Sequence, residues 1–338
     1  LVFGPFSDSF GRKPTVFVGF VVFIVASIIC VNTKSFEMMI LGRMLQGVGL
    51  SSPRSLSISM IRDSYSGNYM AKIISIVVMF FLLIPVIAPT LGTFLLHFFN
   101  WESIFYFNLI FGIGIMFWFW QRQPETLPKE KRIKFSSHIF IDGVKEFFKF
   151  NDAIAFTFVS GFITGSFMVY LSTSQQIFEK QYDLAEMFPY IFASLAISIG
   201  VATYLNSTFV IKFGMRRIAY VATIAYTAVS ILYVILFWTG TNPNIYVLVG
   251  FFALQFFAVG FIFGNVRALA MDPLGHIAGI GAAINGFIST VMAVPIAYYI
   301  GSFVKTSVLP LFIGFSIFGI LSLLVFVVLK RRPPLVTA

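Results

Sequence analysis

Polar positions in this chain come in short clusters, separated by apolar runs of about twenty residues, the length of helix that crosses the hydrocarbon of a bilayer. These runs predict spanning helices over residues 14–32, 37–61, 70–97, 102–120, 153–176, 185–210, 217–238, 244–269, 277–301 and 307–329, and residues 1–7 read as the tail of one more. Inside lipid only helices and closed barrels satisfy every backbone polar group, and these runs are too long and too uniformly apolar for barrel strands. The fold class that follows is all-α, a polytopic membrane protein.

Composition agrees: 58% of the 338 residues are hydrophobic and 11% charged, where soluble domains carry about 25% charge. The lone Cys30 excludes an internal disulfide, and His97, His138 and His276 are too scattered to suggest a metal site. No HExxH, phosphate-loop or Gly-x-Ser-x-Gly motif is present, so the sequence points away from an enzyme and calls for no cofactor. The net charge of +10 does not signal nucleic acid, because the basic residues sit in the short links. Eighteen Lys and Arg fall in one set of links and three (Lys34, Lys180, Lys305) in the other. The positive-inside rule places the first set, with the 121–152 linker and the C-terminus, in the cytoplasm.

The linker opens with "QRQPETLPKEKRIKF" and continues into "SHIFIDGVKEFFKF", where Ile141, Val144, Phe147 and Phe148 recur at helical spacing opposite Lys145 and Lys149. That pattern predicts an interfacial amphipathic helix. The expected domains are a partial N-terminal bundle over 1–120, the linker over 121–152, a six-helix bundle over 153–332 and a tail over 333–338.

A repeat is visible: "SFGRKP" and "KFGMRR" place Gly11 and Gly214 203 residues apart, each before four spans. Two spans precede Gly214, whereas little precedes Gly11. The expectation is a twelve-helix protein whose first helix and most of whose second lie before Leu1, about fifty residues by the same offset.

In "GPFSDSFGRK", Gly4 and Gly11 suit a sharp turn, and Asp8, Arg12 and Lys13 gather charge on the cytoplasmic side. Arg12 is placed to bridge to Asp63 at the end of the 37–61 span, a latch expected to contribute about 1 kcal/mol as an exposed pair. Within that span Arg43 and Arg54 are eleven residues apart, hence within roughly 20° on the helix and about 16 Å along it. Gly47 shares their stripe and Gln46 borders it. Buried arginines in a membrane cost about 3 kcal/mol or more unpaired, so the stripe is expected to face the interior. Pro85 and Pro89 bend the 70–97 span, and Gly92 offers a close-packing point.

These stretches resemble known motifs. "GPFSDSFGRK" resembles the loop signature of the major facilitator superfamily, matching at Gly4, Asp8, Gly11, Arg12 and Lys13, with Phe6 in place of the usual Leu. "GRMLQGVG" resembles that superfamily's fourth-helix motif through Arg43, Gln46, Gly47 and Gly49. "PVIAPTLG" is similar to its antiporter motif only at Pro89 and Gly92, since Ala88 and Thr93 stand where the fuller motif has Gly. Together with "FGNVRALAMDPLGHIAG" near 263–279, the set looks like the bicyclomycin-resistance branch of bacterial drug:proton antiporters.

The resemblance implies two six-helix bundles in the bacterial inner membrane. It implies export of small amphipathic organic compounds, driven by the proton gradient through alternating access, by a monomer in lipid. Arg43 then helps couple proton and substrate, and the coupling carboxylate, absent from the middle of every span here, is expected upstream of Leu1. Met79, Phe80, Phe167, Tyr170, Gln175, Gln176, Phe261 and Asn265 are the candidates for the substrate pocket. A proton-coupled importer of a nutrient or osmolyte, and a receptor that does not transport, are the alternatives.

Overall fold

The computed structural model describes residues 3–65, 77, 84, 87–132 and 137–330. Among these the regular structure is helical throughout. The helices are α1 (Phe3–Phe10), α2 (Arg12–Asn32), α3 (Phe36–Ser64), α4 (Ile87–Phe98), α5 (Glu102–Arg122) and α6 (Ser137–Phe147). They continue as α7 (Asn151–Gln176), α8 (Phe188–Phe213), α9 (Met215–Leu236), α10 (Ile245–Met271), α11 (Ala278–Phe303) and α12 (Leu309–Lys330). Eight of the described helices, α2, α5 and α7 to α12, are long and apolar enough to cross a membrane. The α3 helix is as long but is diluted by three arginines and six serines. The span expected at 70–97 lies outside the described residues except for 77, 84 and the stretch from 87.

The helix ends follow from local chemistry. The Ser35 hydroxyl accepts from the Met38 N–H to start α3, and the Asn244 side chain accepts from Tyr246 N–H at 3.0 Å to start α10. Two joints are built by glycine. Gly11 (φ 104°) separates α1 from α2, and Gly214 (φ 78°) separates α8 from α9. Both lie in the left-handed region that a side chain disfavours. The repeat inferred from "SFGRKP" and "KFGMRR" is thus a repeat of backbone geometry. Gly4, expected at a turn, instead lies inside α1.

The chain divides into two compact units, Leu1–Phe140 and Ile141–Ala338. In the first, α2 packs on α3 and α5, with α1 against α2 and α3. The α2–α3 contact is close because Gly19 meets Ser52 and the Gly49 carbonyl, with no room for a Cβ. In the second, α10 packs against α7, α8 and α9, while α7 and α9 also hold α12 and α7 holds α11. Its core is aromatic: Tyr170 lies 4.6 Å from the Phe256 ring, and Tyr233 stacks on Phe312 at 3.7 Å. Such pairs add about 1 kcal/mol each beyond their area.

One end of the second unit is tied by polar groups. Asn242 Nδ2 donates to Gln181 Oε1 at 3.0 Å, and its Oδ1 accepts from Val308 N–H at 2.9 Å. The Tyr182 hydroxyl donates to the Pro243 carbonyl at 2.8 Å, and burial pushes that phenol up to about 12, so it remains a donor at any physiological pH.

The linker forms a helix at 137–147, and of the expected apolar stripe Val144 is half-buried. Phe147 is fully buried, and Gly143 sits against Ile280 of α11, while Ile141 and Phe148 are exposed. The missing side chain of Gly143 is what lets α6 approach α11.

Gly11→Ala and Gly214→Ala are expected to lower stability by about 1–3 kcal/mol each. The Gly11 change is the larger, because a Cβ there also meets Glu125 and Arg132 while the space at Gly214 is open. Thermal unfolding of both variants in detergent checks the order.

Candidate functional site

Two groups of residues carry the candidate chemistry, both in the first unit. The first surrounds Gly11. A helix start leaves its first N–H groups without partners, and glycine has no side chain to supply one. Glu125, just beyond α5, does so from a distance: Oε1 accepts from Arg12 N–H at 2.9 Å and Oε2 from Lys13 N–H at 3.2 Å. A carboxylate at this positive helix end is doubly favourable. Arg132 lies 3.7 Å from the same carboxylate.

The Arg12 side chain is 5% exposed. Its Nε donates to Asp63 Oδ2 at 2.9 Å, Nη1 contacts Asp8 Oδ1 at 2.6 Å, and Nη1 also donates to the Ser7 hydroxyl at 2.5 Å. Asp8 is four residues away at the end of α1, and Asp63 ends α3. Lys13 places its ammonium 4.8 Å from the centre of the Trp120 ring. Arg12 therefore joins α1, α2 and α3. The weak exposed latch expected from sequence does not describe it, because the guanidinium is buried. Its partners Ser7, Asp8 and Asp63 all lie in the first unit, so the cluster braces that unit.

The second group lies on α3. Arg43 Nη1 donates to Gln46 Oε1 at 3.0 Å, Gln46 Nε2 donates to the Ser27 hydroxyl of α2 at 2.8 Å, and Ser27 donates to the Phe23 carbonyl at 2.8 Å. The guanidinium lies 5.7 Å from the Phe105 ring centre of α5. Gln46 is buried, whereas Arg43, Gly47, Leu50 and Arg54 form an exposed stripe. Helix α3 thus turns one face, through Gln46, Gly49 and Ser52, onto α2 and leaves the arginine stripe uncovered within its unit. Arg54 makes no side-chain hydrogen bond or ion pair among the described residues.

The remaining candidates do not gather at one place. Met79, Phe80 and Pro85 lie outside the described residues. Pro89 falls in α4, and no described atom lies within 4 Å of a Cβ at Gly92, so the close approach expected there is not seen. In the second unit Phe167 and Tyr170 belong to the aromatic core, Tyr170 being only 2% exposed. Gln175 is exposed and donates to Glu179 at 2.9 Å, at the end of α7 with Gln176. Phe261 stacks near Phe209. The Asn265 amide is occupied, donating to Asn206 Oδ1 at 2.6 Å and to the Phe261 carbonyl, which makes it a tie between α8 and α10.

Sequence reading missed two residues. Glu125 lies in the 121–152 linker and was given no role; its signal is a carboxylate after a span, opposite a glycine-capped helix. Gln255, on α10, is fully buried beside the Tyr226 hydroxyl, which also lies next to Ser166, and the buried Tyr170 hydroxyl has no hydrogen-bond partner among the described residues. A lone glutamine in an acid-free apolar run was its only signal.

The family model described as Major Facilitator Superfamily matches residues 1–297. The chain is 30% identical over 223 residues to a bicyclomycin resistance protein homolog of Haemophilus influenzae, covering 65% of this chain and 56% of that relative. It is 31% identical over 128 residues to multidrug resistance protein D of Escherichia coli, covering 38% and 32%. The solved bacterial homologue of the iron transporter ferroportin, in an inward-facing state, superimposes with a TM-score of 0.68 at 14% identity, over 95% of this chain and 83% of that one. At that identity the likeness is one of fold.

Asp63→Ala leaves a buried guanidinium short of a partner and is expected to cost about 3 kcal/mol, with Arg12→Lys failing to restore it because one ammonium cannot serve three partners. Glu125→Gln should cost about 1 kcal/mol. Gln255→Leu is expected to lower stability by about 1 kcal/mol, since it takes a partner from the buried Tyr226 hydroxyl. Unfolding midpoints of the purified variants decide all three.

Proposed function

The chain belongs to the major facilitator superfamily, and from that premise we propose that it is a secondary carrier exporting small amphipathic organic compounds, drugs and antibiotics among them, in exchange for protons. It is a multi-pass membrane protein, and the motifs and the relatives named for bicyclomycin and multidrug resistance support efflux as its task. The observation that carries the reading is the setting of Arg43. Its guanidinium is a fixed positive charge deep along α3, held by Gln46 and Phe105 on a stripe its own unit leaves uncovered. A cation so placed favours the ionised form of a carboxylate that approaches it, and so promotes proton release. That is the step by which proton movement is tied to cargo.

In this reading the carrier works by alternating access, as a monomer in the bacterial inner membrane with its basic links on the cytoplasmic side, and needs no cofactor beyond the proton gradient. The Gly4–Lys13 stretch, with Asp8, Arg12 and Asp63, keeps one unit rigid while it moves. Arg54, lower on the same stripe, supplies a second positive surface, and Pro89 marks the antiporter helix. Ala88 and Thr93, where the fuller antiporter motif has glycine, favour a proton-coupled importer on the same fold as the second reading.

Cells overproducing the full-length protein should show raised inhibitory concentrations for structurally unrelated amphipathic compounds. Arg43→Ala should return them to the level of cells lacking the protein, at unchanged protein abundance. If those concentrations stay flat while uptake of one nutrient rises, the export reading falls and the importer stands.

A further inference from the structure

The two glycine joints share a backbone but differ in how their charges are neutralised. At Gly11, Arg12 is met by Asp8 and Asp63. At Gly214 the cations are Lys212, Arg216 and Arg217, and residues 187–271 contain no Asp or Glu at all, so α8, α9 and α10 carry none. Lys212 rests on the Phe213 ring at 5.3 Å and Arg216 near the Phe156 ring at 5.9 Å. Arg217 is exposed, has no hydrogen bond or ion pair among the described residues, and lines a groove of about 440 Å³.

That groove has the shape of a chain, not of a compact ligand. Helix α10 packs along both α8 and α9, which touch each other sparingly, and its Leu254, Phe257 and Phe261 form the floor. One wall is the α9 stripe Arg217, Val221, Ala225 and Val229, each four residues after the last. Twelve residues of helix rise about 18 Å, close to the roughly 15 Å depth of one leaflet's hydrocarbon. Val221 and Leu254 are 57% and 58% exposed, so the groove opens off the unit within the membrane-spanning segments.

We propose that this groove is a binding site for an anionic phospholipid, with the phosphate on Arg217 and one acyl chain along Val221, Ala225 and Leu254. Basic pockets between membrane helices suit such headgroups. Arg217, the charged residue of the described lining, disfavours cationic amphiphiles, and the apolar length gives an acyl chain a contact that a free phosphate lacks.

The test is native mass spectrometry of the full-length protein in a nonionic detergent, titrated with phosphatidylglycerol or with phosphatidylcholine. One retained phosphatidylglycerol is expected. Arg217→Gln should weaken it about fivefold, the worth of one basic residue near an anionic headgroup. Arg217→Lys should retain it, and Ala225→Trp, which fills the groove without changing charge, should abolish it. Excess inorganic phosphate should not compete. The proposal is overturned if phosphatidylcholine binds equally well, if phosphate displaces the lipid, or if Arg217→Gln and Ala225→Trp both hold the lipid as the parent does.

Discussion

A chain solvated by hydrocarbon has almost nowhere to keep a charge, and that constraint organises this protein. An unpaired cation inside the bilayer costs several kcal/mol, so charge retreats to the helix joints or is held by neighbours. Arg12 shows the result. Its guanidinium is nearly removed from solvent yet meets two carboxylates and a hydroxyl. Removing the charge from water is costly, and only this full set of partners offsets it. The same geometry fixes three helix ends at one point, so the start of α2, the end of α1 and the end of α3 are set together. Glu125 adds the end of α5 through the N–H groups that Gly11 cannot cap.

Arg43 solves the same problem differently. Among the described residues it has no carboxylate partner but an amide and an aromatic face, both neutral. A cation stabilised by dipoles and a ring keeps its field, where one paired with an anion loses it. Arg12 is therefore suited to hold shape, and Arg43 to act on a charge that comes and goes. This is why a coupling role is assigned to the second and not to the first.

Much of the fold was legible in the sequence, because lipid imposes a length and an apolarity that composition reports directly. The boundaries of α2, α5 and α7 to α12 fall within a few residues of the apolar runs, and the pairing of Arg12 with Asp63 followed from charge at two helix ends. What could not be read was anything decided by close approach. Gly143, which no sequence pattern singled out, is the contact point of α6 with Ile280. Asn265 looked free to hold a ligand and is spent on Asn206. Tyr170 looked like a pocket wall and is core, because Phe192, Phe252 and Phe256 surround it. With 44 phenylalanines the sequence cannot say which rings pack and which face lipid.

The two joints finally bear on how such a molecule moves. Rigid-body motion needs bodies whose internal contacts outlast the motion. An exposed ion pair worth less than 1 kcal/mol would open thermally many times in each cycle and hold nothing in place. A buried Arg12 with three partners on its own unit is strong enough to remain closed, so what yields during a cycle must lie elsewhere than in this cluster. At Gly214 no carboxylate among the described residues pairs with Lys212, Arg216 or Arg217, and α8 and α9 are held by their packing on α10. One joint is then locked by carboxylates, while the other is held by helix packing. The repeat preserved the backbone turn at both places, and the charges placed around it made the two turns into different parts.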